Sequence, residues 1–93
     1  TDPPYYDNIS YADLSDFFYV WLKRSVGHLY PEHFAGETTP KRREAVVARY
    51  RHDGDQDAAR RFYEGQMQEA FNEAHRVLKP GAPLVCVYAH KTT

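Results

Sequence analysis

Leu84-Val85-Cys86-Val87-Tyr88-Ala89 is an apolar run with no alternation between two faces. A short continuous run with β-branched residues predicts a strand, about 83–89, covered on both sides. Strands of that kind sit inside parallel sheets, so these six residues decide the expected fold class: α/β, mostly helical, with one buried-type strand. No second convincing strand is legible. A lone strand leaves its backbone donors and acceptors without partners. The chain therefore reads as an incomplete domain, and the exposed edge at 84–89 is expected to drive self-association into dimers or larger species.

Upstream of the run, Lys79-Pro80-Gly81 stops a long helix predicted over about 56–79. Its stripe is Ala59, Phe62, Tyr63, Met67, Ala70, Phe71, Ala74, Val77 and Leu78. Asp55 and Asp57 suit its positive end. Gly65 lies inside it at a cost of about 1 kcal/mol. A second helix is predicted over about 40–51, with Thr39 as N-cap and Pro40 as its first residue. Its stripe is thin: Ala45, Val46, Val47 and Tyr50. A third is predicted over about 12–27. Leu14, Phe17, Phe18, Trp21, Leu22 and Val26 recur at three and four, a spacing that reads as core, and Asp13 or Ser10 offers a cap. Gly27 is expected to end this helix in the left-handed conformation. Residues 1–11 read as a loop.

The chain has 93 residues, of which 42% are hydrophobic and 15% aromatic, which argues against disorder. A net charge of −1 makes the whole chain no magnet for nucleic acid, so any basic surface is local. The single cysteine, Cys86, excludes an internal disulfide and fits a reducing cytoplasm. In an apolar run it reads as an inert packing residue. No apolar stretch approaches the ~20 residues of a membrane span. The opening on Thr1, without Met or a signal peptide, reads as a cut or processed end.

The opening loop carries the chemistry. Asp2-Pro3-Pro4-Tyr5 combines a carboxylate, two prolines and an aromatic ring. The tetrapeptide resembles the catalytic motif of the amino-methyltransferases, and the chemistry that resemblance implies starts from the substrate: an exocyclic amine conjugated to a nucleobase is a poor nucleophile, because its lone pair is delocalised into the ring. To attack a sulfonium methyl the nitrogen must become more tetrahedral. Acceptors aimed at its N–H bonds favour that change and bear the developing positive charge. The Asp2 carboxylate is one acceptor and the Pro3 carbonyl a second. The prolines remove amide donors and stiffen the loop. Tyr5 offers a face for a flipped base, a contact worth about 1–3 kcal/mol.

Asp2-Pro3-Pro4-Tyr5-Tyr6-Asp7-Asn8-Ile9-Ser10-Tyr11, followed by Asp13-Leu14-Ser15-Asp16-Phe17-Phe18, resembles the amino-methyltransferases, and within them a group of bacterial and archaeal adenine-specific DNA methylases. Ala74-His75-Arg76-Val77-Leu78-Lys79-Pro80-Gly81 before an apolar strand is similar to class I methyltransferases. The resemblance implies a Rossmann-like fold and methyl transfer from S-adenosylmethionine to an adenine amino group in DNA. It implies catalytic roles for Asp2, Pro3, Pro4 and Tyr5, with Asp2 also beside the cofactor. Serine at the first motif position is more usual for cytosine enzymes, and asparagine for glutamine or RNA methylation. The family's Phe-x-Gly-x-Gly cofactor loop is missing, since no two of Gly27, Gly36, Gly54, Gly65 and Gly81 are close in sequence. The chain is thus expected to be a fragment of the catalytic domain, inert alone and without measurable affinity for S-adenosylmethionine.

Further candidates carry two readings each. Tyr6, Asn8 and Tyr11 either shape a base pocket or form a turn and helix cap. Arg42 and Arg43, within a basic cluster that includes Lys41, Arg49, Arg51, Arg60 and Arg61, either contact DNA phosphates or lie on a solvated face diluted by Glu44, Asp53, Asp55 and Asp57. His90 and Lys91 fall at the carboxyl end of the expected strand, where open α/β sheets place ligands. The five histidines show no metal-ligand spacing. The rival readings are a cytosine, RNA or protein-glutamine methyltransferase fragment, and a helical interaction module in which Asp2-Pro3-Pro4-Tyr5 is only a turn or a short peptide ligand.

Overall fold

The computed structural model describes residues 1–7 and 9–89. Among them there is no strand or sheet: the protein is helical, with α1 over Tyr11–Val26 and α2 over Gln56–Val77. Short 3₁₀ turns occupy Gly27–Leu29 and Arg49–Arg51. The expected α/β Rossmann-like architecture is therefore corrected to all-helical. The run 84–89 forms no strand and is exposed throughout. The reason is pairing. The Thr1 ammonium donates to the Val85 carbonyl at 2.7 Å, and the Val87 amide donates to the Thr1 carbonyl at 2.9 Å. One residue supplies one rung, and one rung makes no ladder. Cys86, expected to be packed, is exposed with the rest of the run.

The chain divides into two compact units, Ser10–Glu44 and the pairing of Thr1–Ile9 with the chain from Ala45 onward. In the Ser10–Glu44 unit, α1 starts without a side-chain cap from Ser10. Glu44 takes that role across the loop: its Oε1 accepts from the Ala12 amide at 2.9 Å, matching an orphan donor of the first turn with a negative charge. Gly27 is not left-handed. Its φ is −58°, and it is buried where an added Cβ would stand 3.5 Å from Phe34 Cβ. Tyr19 is the buried residue of α1; its hydroxyl donates to the Gly36 carbonyl at 2.8 Å. The residues expected as core behave otherwise. Leu14, Phe17, Phe18, Trp21 and Leu22 are each half or more exposed, up to 68% for Phe17.

The expected helix over 40–51 is absent. Its intended cap is committed elsewhere: the Thr39 hydroxyl lies 2.6 Å from both the Ala12 carbonyl and Asp16 Oδ1, and the Thr39 amide donates to the same Asp16 oxygen at 2.9 Å. Lys41 Nζ donates to Asp16 Oδ2 at 2.7 Å. The following Val46, Val47 and Ala48 are all buried, and three consecutive inward residues suit an irregular crossing rather than a one-sided helix.

The Asp16 cluster makes the Ser10–Glu44 unit acid-sensitive. Lys41, then Thr39, lowers the Asp16 pKa to about 2 from an ordinary 3.8. A carboxyl that holds its proton less tightly when folded stabilises the fold fully above pH 3.8, and that contribution is lost as the pH falls towards 2. Amide exchange in Ser10–Glu44 is expected to accelerate across that window, and Asp16→Asn to remove the step. An unchanged acid profile in Asp16→Asn would exclude this role.

In the other unit, Asp55 caps α2 by accepting from the amides of Asp57 at 2.8 Å and Ala58 at 3.0 Å. Those donors, Ala58 first, depress its pKa. Ala59, with 0% exposure, forms the core with Val47 and Tyr63, and Tyr6, Ala45 and Met67 pack around it. The helix ends at Leu78, whose ψ of 142° breaks the ladder, and Gly81 turns the chain with φ +77°. Gly65 sits mid-helix, and apart from the adjoining helix backbone nothing lies within 4 Å of where a Cβ would stand. Gly65→Ala is expected to raise stability by about 0.5–1 kcal/mol in a denaturant titration; destabilisation would mean that the site is crowded. No helix among the described residues is long and apolar enough to cross a membrane.

Candidate functional site

Asp2, Pro3 and Pro4 lie on the wall of an open groove of about 430 Å³ in the unit that contains α2. The opposite side is α2 itself, through Gln66, Met67, Ala70, Phe71 and Ala74; Thr1, Ala45 and Leu84 complete the lining. That volume falls within the range of small-molecule sites, about 300–1,000 Å³. The lining is mostly apolar, and its polar side chains are the Asp2 carboxylate, the Gln66 amide and the Thr1 hydroxyl.

The loop is held from behind by tyrosines. Tyr63, on the buried stripe of α2, donates its hydroxyl to the Pro4 carbonyl at 2.7 Å. The Tyr88 hydroxyl stands 3.3 Å from that of Tyr63 and accepts from the Tyr6 amide at 3.3 Å. Burial, then the contact with Tyr88, pushes the Tyr63 pKa well up, so this phenol keeps its proton and remains a donor. The Val47 amide donates to the Tyr6 carbonyl at 2.8 Å. The Tyr6 ring meets Tyr63 edge to face at 5.5 Å, and its hydroxyl accepts from Arg60 Nε at 3.3 Å, a bond that raises the Arg60 pKa.

With the Pro4 carbonyl taken, the groove keeps Asp2, which is exposed, and Pro3, which is half-buried. Among the described residues, the Asp2 carboxylate forms no salt bridge or side-chain hydrogen bond. Tyr5 is absent from the groove lining; its ring meets Tyr88 edge to face at 5.6 Å. Tyr6 serves as a strut of the loop. Tyr11 is the first residue of α1, and Arg42 and Arg43 form an exposed turn, so all three belong to the Ser10–Glu44 unit. Asn8, His90 and Lys91 lie outside the described residues.

Tyr63, Tyr88 and Gln66 are the participants that motif reading misses. A tyrosine within an apolar stripe signals a hydroxyl in need of a partner. The described residues hold no cluster of His, Cys, Asp or Glu suited to a metal ion. The lining offers one carboxylate, one amide and one hydroxyl, and no cationic side chain to pair with the amino-acid carboxylate of S-adenosylmethionine. Comparison with protein-family models, curated proteins and solved structures yields no match.

Proposed function

We propose that this chain carries the amine-gripping element of a methyltransferase that acts on the exocyclic amino group of adenine in DNA. The observation that carries the reading is the pairing of an exposed Asp2 carboxylate with Pro3 on the wall of a groove, on a loop pinned by Tyr63 through the neighbouring Pro4 carbonyl. In this role Asp2 accepts one N–H of the base amine and the Pro3 carbonyl accepts the other. Both bonds strengthen as the nitrogen becomes tetrahedral and positive, which is the condition for lowering a barrier rather than only binding substrate. Tyr63 fixes the loop so that little reorganisation is needed when charge develops. The methyl donor is S-adenosylmethionine in this proposal, and its binding is assigned to residues other than those of the groove.

The test is methylation of defined oligonucleotides by the complete protein. Methyl transfer to adenine N6 that depends on Asp2 supports the reading. Transfer to cytosine, RNA or a glutamine side chain instead would redirect it to those substrates. DNA contacts in this reading include Arg42 and Arg43, whose exposed guanidiniums suit phosphates.

A second reading has its own observation. The face of α1 formed by Leu14, Phe17, Phe18, Trp21 and Leu22 is exposed and apolar, as in a helix that docks on another protein. In a helical interaction module, Trp21→Ala would abolish complex formation while Asp2→Ala would change nothing.

A further inference from the structure

The groove beside Asp2 has a second polar wall and an aromatic wall that the motif does not contain. Along α2, Gln66, Ala70 and Ala74 follow at four-residue steps, and Phe71 sits one position beyond Ala70. At 100° per residue, Gln66 and Phe71 lie about 140° apart around the helix, with Ala70, Ala74 and Met67 between them. The two alanines and the half-buried Met67 make a floor, and Gln66 and Phe71 stand as its two sides. Gln66 is half-buried and Phe71 is 37% exposed, so each keeps surface for a ligand.

We infer that this floor is a nucleobase site, in which Phe71 stacks on the ring of an adenine nucleoside and the Gln66 amide reads its hydrogen-bonding edge. This deepens the proposed function and rests on it, since it gives a place to the base whose amine Asp2 holds. The chemistry fits on three counts. A cavity of about 430 Å³ accommodates a nucleoside. An aromatic side chain at a groove wall gains stacking energy from any base. A primary amide carries N–H donors, one of which suits a ring nitrogen of adenine and leaves both N–H bonds of the amine to Asp2 and the Pro3 carbonyl. Asp2, an acceptor only when ionised, adds the requirement for an amino group. Gln66 is thus the specificity-determining residue and Phe71 the stacking platform, and Tyr5, which meets Tyr88 edge to face, is not required for stacking on this floor.

The experiment is a titration of the complete protein, labelled at Met and Ala methyl groups, with adenosine and with inosine, followed by NMR. Adenosine is expected to shift Met67 and Ala70. Inosine, with an oxo group in place of the amine, is expected to bind about tenfold more weakly. Phe71→Ala and Gln66→Leu are each expected to weaken adenosine binding about tenfold. Ala70→Leu fills the floor at an exposed position where the fold tolerates bulk, and should abolish binding without loss of folded signal dispersion. Adenosine binding that leaves Met67 and Ala70 unshifted, or that survives Ala70→Leu, overturns the inference. The two readings fail separately. Unchanged binding in Phe71→Ala and Gln66→Leu alongside lost turnover in Asp2→Ala removes the base site and leaves the amine-gripping role. Full turnover in Asp2→Ala removes that role.

Discussion

Asp2→Ala is expected to lower methyl transfer by the complete protein at least about 100-fold, the loss seen when one preorganised partner of a developing charge is removed. Stability is expected to be unchanged, because Asp2 is exposed and its side chain is not among the bonds that hold the loop. The contrast is what makes the test informative. A structural residue lowers turnover through unfolding, so its thermal melt moves with its activity. Asp2→Ala should separate the two: the same melting curve, with kcat lost. Asp2→Asn should also be impaired, since an amide keeps one acceptor but no negative charge to stabilise the cationic nitrogen. Parallel measurement of kcat and KM distinguishes the effects. A transition-state role lowers kcat, whereas uniform binding of the base moves KM alone.

Tyr63→Ala is expected to be the most destabilising single change, by about 3–4 kcal/mol, because it removes a buried aromatic ring from the small core and leaves a cavity beside Val47 and Ala59. A unit with so few buried side chains has little stability in reserve, so the variant should melt far lower or fail to fold. Tyr63→Phe isolates the hydroxyl. It keeps the ring, loses the bond to the Pro4 carbonyl, and is expected to cost about 1 kcal/mol in a denaturant titration. If the pinned loop matters for catalysis, Tyr63→Phe also lowers kcat at temperatures where it remains folded. A Tyr63→Phe protein with unaltered stability would show that the hydrogen bond to Pro4 contributes nothing.

Helices α1 and α2 are legible in the sequence because each signals itself locally. Apolar residues recur at three and four, and Asp55 stands where an N-cap belongs. The segment from 40 to 51 fails for a reason that local spacing cannot reveal. Thr39 and Pro40 form a good helix start, but the Thr39 hydroxyl is used by Asp16 and Ala12, far away in the chain. The run 84–89 fails for a related reason. A strand is defined by its neighbour, and the described chain supplies only Thr1. The α1 stripe illustrates the limit of periodicity, which identifies a helix face but not what covers it. Tyr19, on another side of the same helix, is the buried one.

The candidate site divides in the same manner. Asp2 and Pro3 are visible as a motif because their chemistry is contained in adjacent residues. The support from Tyr63 and Tyr88 is not, since it reaches the loop from 59 positions away in one case and 82 in the other. Gln66 had a faint signal, a polar residue bordering an apolar stripe. Tyr5, whose place in the motif suggests stacking on a base, meets the Tyr88 ring edge to face, a contact between residues 83 positions apart that the motif does not reveal.

The most direct measurement is the carboxyl ¹³C shift of Asp2 in the complete protein, titrated with adenosine and with N6,N6-dimethyladenosine. An acceptor for the base amine predicts a shift with adenosine and none with the dimethylated nucleoside, which has no N–H to donate. Equal responses to the two ligands, or none to either, would contradict a role for Asp2 in holding the amine.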